Sequence, residues 1–413
     1  MSRALGGLVV AAGVALSLLA GCPGDDGPAG TGATGGSGGL GSGGSAGSAG
    51  AAGAPWDPEW HETEPKDWPS VGPDDNPDCG PGCRVALNVP ITNPSVFGHG
   101  YTEKWLVSET PLGIGFAEVG ASVTFAIPHE PGSLIQHSVW GDHVSYRRTY
   151  GTYGTVEIAS LLTGETKIAF ENSPGTGAVA ATALGPNHVF WETGGLWSRH
   201  LKTGVAKKLT LGCFSYCPTE SLVLCDNGRI YTIDPDTGEL KHLDYGAAWQ
   251  TDGACSPGRT QYAWVDYRDP PGPGSGWLQR SGGEIYVHDL AKKKTTRVTF
   301  DSPGEPRGKV YPAIAGKWVV WSEPPDGVDA NPDTLSSLQY SSTTLGSLDL
   351  STGQRCRLTT DAAGPLGFKS LHGRVLYASW LDKIANEKRL VALELDHPAL
   401  EWSCWPTPGW TPP

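Results

Sequence analysis

The sequence contains a single methionine, the initiator, and only 18% of its residues are charged. Long coiled coils and Lys/Glu-rich helical repeats need far more charge than this, so both classes are excluded. Basic residues are also scarce, with 30 Lys and Arg against 43 Asp and Glu and a formal net charge of −13. This sign is wrong for a protein that binds nucleic-acid phosphates, so we expect no nucleic-acid partner.

Long apolar runs are absent except at residues 5–20, which follow the lone charge of Arg3. A short apolar run behind a basic residue is typical of an export signal rather than of a permanent membrane span. The run ends in Leu19-Ala20-Gly21-Cys22. This tetrapeptide resembles the lipobox of bacterial lipoproteins, and the resemblance implies a signal peptide over residues 1–21 and lipidation of Cys22. An ordinary signal peptide with a chance cysteine is the alternative.

Pro23 stands directly after Cys22, where lipoproteins retained in the inner membrane carry an aspartate. The resemblance therefore implies a cell-envelope protein sorted to the outer membrane, and it leaves open whether the domain faces the periplasm or the cell surface. No other stretch approaches 18 apolar residues, so the lipid would be the only membrane attachment.

Residues 22–55 form a low-complexity segment with 14 glycines, many alanines and many serines. Such a segment cannot bury enough side chain to offset its chain entropy, so we predict a disordered tether with its ends about 30 Å apart. Residues 56–82 are rich in Pro and Trp instead. They predict an extended strap on the folded domain at residues 83–413, with a continuing linker as the alternative.

From about residue 83 onward the chain repeats a β-rich unit that ends in a Thr-Gly turn or its equivalent. Its copies lie at residues 156–164, 196–204, 230–238, 285–293 and 345–353. A second unit, a turn followed by a strand with a large residue near its end, recurs at residues 104–109, 141–146, 186–191, 316–321 and 373–377. Alternating β-branched and aromatic residues between Gly, Pro, Asn and Asp are the pattern of strands.

Together the two units predict a four-stranded antiparallel module of about 45 residues. A single module cannot bury both of its faces, whereas modules arranged radially around an axis cover one another. We therefore predict an all-β chain that forms a single seven-bladed β-propeller, with six blades as the alternative. The predicted blades lie near residues 84–135, 136–175, 176–212, 213–246, 247–304, 305–364 and 365–404.

These repeats resemble those of TolB-like propellers, in which a Gly-x-x-Val-x-Trp/Phe strand precedes an Ile-Tyr-x-x-Asp-Leu-x-Thr-Gly hairpin. The resemblance covers roughly 320 residues and implies the same WD-like propeller fold. It implies little about activity, because propellers host many functions.

Nine cysteines occur, and lipidation of Cys22 leaves an even number in an oxidising compartment. Disulfides are therefore expected, with the pairing left open. The candidates are Cys79, Cys83, Cys213, Cys217, Cys225, Cys255, Cys356 and Cys404. A zinc site built from the two C-x3-C pairs is the alternative.

In an antiparallel blade the loops between the second and third strands leave on the same side as the crossovers to the next blade. Two of these loops are long, near residues 266–280 and 323–342, and a shorter one lies near residues 146–153. Aromatic and Arg side chains on such loops are typical of contacts with a protein or a sugar. The candidate binding residues are Tyr146, Arg147, Tyr150, Tyr153, Tyr267, Arg268 and Trp277.

No cofactor or metal motif stands out. Asp326, Asp329, Asn331 and Asp333 do not have the spacing of a calcium loop. His143 and His188 occupy equivalent positions in different repeats, which favours a structural role. The chain also lacks H-E-x-x-H, a P-loop, a G-x-G-x-x-G after a strand and a credible Ser/His/Asp set.

The leading hypothesis is a non-catalytic, monomeric binding module for an envelope or extracellular protein or glycan, held at the membrane by its lipid. The alternative is a polysaccharide lyase with its site in the funnel of the propeller. Its candidate residues are His137, Tyr146, Arg147 and Tyr150. A purely structural envelope spacer is the third possibility.

Overall fold

The computed structural model describes residues 70–71, 79–87, 89–91, 101–121, 124–128, 137–150, 153–172, 179, 182–210, 213, 215–226, 228–243, 250–267, 283–300, 309–323, 344–359, 366–382 and 387–412. All of them belong to one unit, Ala49–Pro413. The predicted signal peptide, the tether and most of the strap lie outside the described residues. Among the residues described, no helix is long and apolar enough to span a bilayer.

The described part of the chain forms seven antiparallel sheets, the blades of a β-propeller. The strands are, in chain order, β1 (Ser70–Val71), β2 (Cys83–Val85), β3 (Trp105–Thr110), β4 (Gly113–Glu118), β5 (Thr124–Pro128), β6 (His137–Trp140), β7 (His143–Tyr150), β8 (Tyr153–Ser160), β9 (Thr166–Glu171), β10 (Thr182–Leu184), β11 (His188–Glu192), β12 (Leu196–His200), β13 (Ala206–Thr210), β14 (Ser215–Pro218), β15 (Val223–Asp226), β16 (Ile230–Ile233), β17 (Leu240–His242), β18 (Gln250–Cys255), β19 (Gln261–Asp266), β20 (Glu284–Asp289), β21 (Lys294–Arg297), β22 (Val310–Ala315), β23 (Trp318–Glu323), β24 (Thr344–Asp349), β25 (Gln354–Thr359), β26 (Leu366–His372), β27 (Val375–Asp382), β28 (Glu387–Glu394) and β29 (Trp402–Pro406).

Blades 2 to 6 each take four consecutive strands, from β6–β9 to β22–β25. From blade 2 to blade 7 the first strand of each blade contacts the first strand of the next, so these strands line the axis of the ring. The prediction of an all-β, seven-bladed propeller is confirmed. Turns between first and second strands, and between third and fourth strands, lie on one side, which we call the turn face. Connections between second and third strands lie on the other side, which we call the loop face.

The two ends of the sequence pair in a way that the repeats did not predict. Strand β2, placed by sequence at the start of blade 1, is the outer strand of blade 7, where it pairs with β28. Strand β29, near the predicted end of blade 7, pairs with β25 as a fifth strand of blade 6. Within the predicted strap, β1 pairs with β5 at the outer edge of blade 1. Exchange of strands between the ends of the chain holds the ring closed.

Apolar side chains fill each of the seven interfaces between adjacent blades, and one core cluster occupies each interface. The cluster between blades 7 and 1 closes the ring, with Tyr377 and Leu390 against Leu106. A large residue near the end of the second strand is a repeated part of this packing in blades 2, 3, 5, 6 and 7. These side chains are almost completely buried, and they are Tyr146, Trp191, Trp264, Trp321 and Tyr377.

The Thr-Gly turns between third and fourth strands share one geometry. Each glycine has a positive φ, which side chains other than glycine rarely adopt, as at Gly164 (74°) and Gly353 (72°). Each also donates its N–H to the carbonyl of the residue four positions earlier. That earlier residue caps the turn with its side chain, as when Asp234 Oδ1 accepts the N–H of Thr237 at 2.9 Å. The same capping position is occupied by Ser160, His200 and Asp349.

All eight cysteines that the structure describes are paired. The disulfides are Cys79–Cys83, Cys213–Cys225, Cys217–Cys255 and Cys356–Cys404. The first fastens β2 at the ring closure, the third joins the inner strands of blades 4 and 5, and the fourth fastens β29 to β25. The prediction of disulfides is confirmed, and the alternative of a zinc site from the two C-x3-C pairs does not fit, because each of these thiols is oxidised.

Candidate functional site

The loop face differs between blades, and the difference is concentrated in two neighbours. In blade 5 the chain leaves β19 at Asp266 and returns at Glu284, and in blade 6 it leaves β23 at Glu323 and returns at Thr344. Elsewhere the equivalent connections are short turns, for example between Tyr150 and Tyr153. The two long insertions therefore connect strands of the neighbouring blades 5 and 6, and insertions on one face are how propellers form binding surfaces.

At the end of β19, where the insertion of blade 5 begins, lies a layer of buried polar side chains. The Asp266 carboxylate accepts a hydrogen bond from Gln250 Nε2 at 2.7 Å. It also accepts one from the Trp264 indole N–H at 3.3 Å. Gln250 in turn accepts the backbone N–H of Ile230 in blade 4 at 2.7 Å. The point where this loop leaves the sheet is thereby tied to the adjacent blade.

The returning strand is anchored by a buried ionic cluster around Glu284. Its carboxylate lies 3.1 Å from Arg297 Nη2 and 3.3 Å from Lys309 Nζ, and Lys309 is completely buried. Lys309 also donates to the Gly283 carbonyl at 3.3 Å. Buried charges are tolerated when they are paired and hydrogen-bonded, and both conditions hold here. Because Lys309 precedes β22, the cluster links blade 5 to blade 6.

Blade 6 repeats this arrangement around the buried Glu323. Its carboxylate lies 2.9 Å from Arg357 Nε and 3.6 Å from Arg355 Nη2, both on β25. The Arg357 contact is an ion pair rather than a directed hydrogen bond, because the Nε–H does not point at the oxygen. The Trp321 indole N–H donates to the same carboxylate at 3.3 Å. The blade 5 loop therefore leaves from the hydrogen-bonded Asp266 and returns at the charge-paired Glu284. The blade 6 loop leaves from the charge-paired Glu323.

Several of the predicted binding residues belong to this face. Tyr267 follows β19, and its half-buried ring lies across Gly283, where a Cβ atom would come within 2.7 Å of the ring. Tyr150 and Tyr153 pair directly across the tip of the β7–β8 hairpin. Arg268 and Trp277, like the acidic residues from Asp326 to Asp333, lie outside the described residues.

Tyr146 and Arg147 both make contacts within the propeller itself. Tyr146 is 1% exposed in the core between blades 1 and 2, because it fills the large-residue slot of its repeat. Its burial is the main cause of the raised pKa of its phenol. The Arg147 guanidinium donates to the carbonyl of Val179. The Tyr146 side chain is therefore buried rather than presented on an open surface, and the Arg147 side chain is partly buried.

His137 was placed by sequence near the channel, but its ring points into the interface with blade 1. Its Nε2 lies 3.0 Å from the Val107 carbonyl, so this nitrogen carries the proton. Burial lowers the pKa of the ring to about 4, and the hydrogen bond to Val107 opposes that shift in part. The ring is a structural contact between blades in this arrangement.

His188, His200 and Asp236 form a cluster between blades 3 and 4 on the turn face, with ligand atoms within 4.8 Å of one another. The donor set does not suit a metal ion. His200 Nδ1 accepts the N–H groups of Lys202 and Thr203 at 3.1 and 3.2 Å, so the neutral ring carries its proton on Nε2. That nitrogen then has no lone pair to offer. His188 Nε2 lies 3.3 Å from Asp236, so the cluster is an interblade contact.

The buried polar layer of the loop face was missed from the sequence. Its one local signal is a Trp-x-acid pattern at the ends of β19 and β23, where each indole bonds the carboxylate two residues later. The partners Gln250, Arg297 and Arg355 come from other strands and Lys309 from the residue before β22, and no spacing along the chain connects them to the acids.

No family model of known proteins and no curated protein matches the sequence. Solved structures do match. Oligogalacturonate lyase from Vibrio parahaemolyticus has a TM-score of 0.52 at 10% identity, covering 79% of this chain and 98% of that one. An oligogalacturonate lyase in complex with manganese has a TM-score of 0.46 at 13% identity, covering 81% of this chain and 98% of that one. TolB from Acinetobacter baumannii has a TM-score of 0.34 at 14% identity, covering 73% of this chain and 82% of that one. At these identities the similarity shows the β-propeller fold alone.

Proposed function

We propose that this chain is a lipoprotein of the bacterial cell envelope, anchored at Cys22, whose propeller binds a protein or glycan partner on its loop face without catalysis. The observation that carries the proposal is the pair of long insertions on the neighbouring blades 5 and 6. The described residues at their ends are buried and bonded: Asp266 and Glu284 flank the first insertion, and Glu323 precedes the second. The ends of both insertions are therefore fixed in the sheets. A surface of this kind suits recognition, because rigid supports reduce the entropy lost on binding.

The four disulfides support an exported location, since such bonds persist in oxidising compartments. The lipobox at Cys22 supports membrane attachment, and Pro23 supports the outer membrane.

Catalysis by a lyase mechanism has weaker support. A proton abstractor needs access to the substrate and a charge stabiliser in the same pocket. Among the candidate residues, His137 and Tyr146 are buried between blades, and Arg147 bonds a backbone carbonyl.

Replacement of residues 268–280 by a Gly/Ser linker of equal length is expected to reduce capture of the envelope partner at least tenfold, because the candidate contacts Arg268 and Trp277 are lost. The readout is pull-down from envelope extracts with the full chain as bait, followed by affinity measurement on the purified partner. The control carries Lys202→Ser and Val205→Ser, two exposed residues of the turn face. Equal capture by the loop variant and the wild type would contradict a binding role for this face.

Cys22→Ser is expected to move the protein from the membrane fraction to the soluble fraction, because one thioether-linked lipid group would be its only attachment. Fractionation after a salt wash measures this. Retention of the variant in the membrane would contradict anchoring at Cys22.

A further inference from the structure

A cavity of about 270 Å³ opens on the turn face, opposite the loop face. It is lined by residues 102–104 of blade 1, 140–142 of blade 2 and 257–259 of blade 5. Blade 5 is not a neighbour of blades 1 or 2 in the ring. Residues from these three blades can meet only near the axis, so the cavity lies at the mouth of the central channel.

The turn of blade 5 reaches across this mouth. In blades 2, 6 and 7 the equivalent turns are tight, and a glycine with positive φ begins each, for example Gly141 at 55°. In blade 5 the turn between β18 and β19 is longer, and Arg259 has a φ of 55°. A left-handed backbone costs a side-chain-bearing residue of the order of 1 kcal/mol, and such conformations cluster at binding sites. The Cys217–Cys255 disulfide fixes the base of the turn.

Arg259 is the only cation among the cavity-lining residues that has no acidic partner in the described part of the chain. It is 6% exposed. Its Nη2 donates to the Val139 carbonyl at 3.2 Å, its Nη1 lies 3.7 Å from Cys217 Sγ, and its guanidinium lies 5.8 Å from the Trp140 ring centre. Burial alone lowers the pKa of this side chain to about 10, and the group stays charged at neutral pH. A buried charge without a counter-ion is costly.

The other charges at the mouth do not supply that counter-ion. Lys104 pairs with Asp142 at 2.7 Å, and Asp142 also accepts the Trp105 indole N–H at 2.8 Å. Glu103 is exposed, and its carboxylate approaches the backbone at Gly258, where a Cβ atom would lie 2.7 Å from Oε1. The cavity therefore has a cationic floor at Arg259 and an anionic rim at Glu103.

We propose that this cavity binds a small carboxylate ligand that also carries a hydrogen-bond donor, with the carboxylate on Arg259 and the donor on Glu103. The guanidinium keeps N–H groups beyond the two contacts above, and a carboxylate accepts such groups in charge-assisted hydrogen bonds. Glu103 repels a second negative charge and accepts from an amine or a hydroxyl. The site is separate from the partner surface proposed for the loop face and does not depend on it.

Isothermal titration calorimetry of the full chain tests the proposal with four probes: acetate, glycolate, glycine and inorganic phosphate. Glycine, with an amine donor, and glycolate, with a hydroxyl donor, are expected to bind more tightly than acetate. Phosphate is expected to bind more weakly than glycine, because it brings excess negative charge to the rim. The order of glycine and glycolate shows whether the natural ligand class carries an amine or a hydroxyl.

Arg259→Gln is expected to weaken glycine binding at least tenfold, the loss of about one charge-assisted contact. The matched control is Arg374→Gln in the equivalent turn of blade 7. Arg374 also bonds a carbonyl, at 3.4 Å, and lies 4.0 Å from the Trp318 ring centre, but Asp396 and Asp349 lie near it. That variant is expected to bind glycine as the wild type does.

Glu103→Gln provides a second test in which the substitution is exposed and leaves the fold intact. It is expected to strengthen acetate binding and to weaken glycine binding, so the preference for glycine over acetate falls. This opposite effect on acetate and glycine affinity tests the proposal even if Arg259→Gln does not fold. The proposal is overturned if no probe binds the wild type, if Arg259→Gln and wild type bind glycine equally, or if Glu103→Gln leaves the ratio of glycine to acetate affinity unchanged.

Discussion

Glu323→Ala is expected to lower the free energy of unfolding by about 3–5 kcal/mol, the usual cost of removing one partner from a buried ionic cluster. The substitution leaves the charges of Arg355 and Arg357 without their shared carboxylate, at 13% and 11% exposure. It also leaves the Trp321 indole N–H without its acceptor in the core between blades 5 and 6. Urea unfolding followed by tryptophan fluorescence measures the loss.

Two further variants identify the cause. Glu323→Gln keeps the shape and an acceptor for Trp321 but removes the charge, so a smaller loss of about 2 kcal/mol is expected. Glu239→Ala removes an acid that pairs with Lys241 at 3.1 Å, where the side chains are 58% and 65% exposed. Exposed pairs contribute about 0–1 kcal/mol, so this control is expected to unfold nearly as the wild type does. Similar losses for Glu323→Ala and Glu239→Ala would show that the buried cluster is not stabilising.

The effect would extend to the proposed function, because Glu323 is the last residue of β23 before the blade 6 insertion. Loosening of Glu323 would release the point at which the loop leaves the sheet. A Glu323 variant that folds but binds its partner more weakly would therefore show that anchoring of the loop contributes to affinity, although none of the loop's own contact residues has changed.

The architecture of the ring could be predicted from the sequence because it depends on local patterns. The alternation within residues 316–321 and the Thr-Gly turn at residues 352–353 reflect strand and turn chemistry that each blade must satisfy by itself. The large residue in the second strand of five of the blades follows from the same need to fill an interblade core. The two units, with five copies each, together mark seven blades, which was enough to give the blade count.

Pairing across the ends of the chain could not be predicted in the same way. Residues near Cys83 have the pattern of a strand, but that pattern is equally compatible with blade 1 and with blade 7. Whether this strand joins blade 1 or blade 7 depends on which sheet edge remains unpaired once the ring has formed, and no local sequence feature indicates that edge. The same holds for β29, whose place beside β25 is fixed by Cys356 and Cys404 among the many pairings that eight cysteines allow.

Functional side chains were harder to place, for a related reason. Tyr146 and Arg147 were chosen as an aromatic and a cation near a loop, yet the ring fills a core slot and the guanidinium bonds a carbonyl. Arg259 gave no signal at all, because its position near Trp140 arises from two turns on opposite sides of the ring. Sequence spacing predicts which face of a strand each side chain occupies. Which residues of distant blades meet at the axis depends on closure of the whole ring.

Between pH 7.5 and pH 5 the protein is expected to lose stability through two histidines, the buried His137 and the partly buried His372. Burial lowers the pKa of each ring to about 4, against about 6.5 for an unfolded chain. The unfolded state therefore binds the proton more readily. The contribution of each neutral ring is complete above pH 6.5 and is lost as the pH falls toward 4, which amounts to about 2 kcal/mol for each at pH 5.

The double variant His137→Gln/His372→Gln isolates this effect from the titration of carboxylates. It is expected to be less stable than the wild type at pH 7.5, because His137 loses its bond to Val107 and His372 its edge-on contact with Tyr377, whose ring centre lies 4.9 Å away. The difference in free energy of unfolding between the wild type and the variant should narrow by several kcal/mol at pH 5, because glutamine binds no proton in the unfolded state. Urea unfolding at the two pH values measures both gaps. A gap that stays constant would mean that these rings titrate normally, and the interblade contact at Val107 would then tolerate an imidazolium.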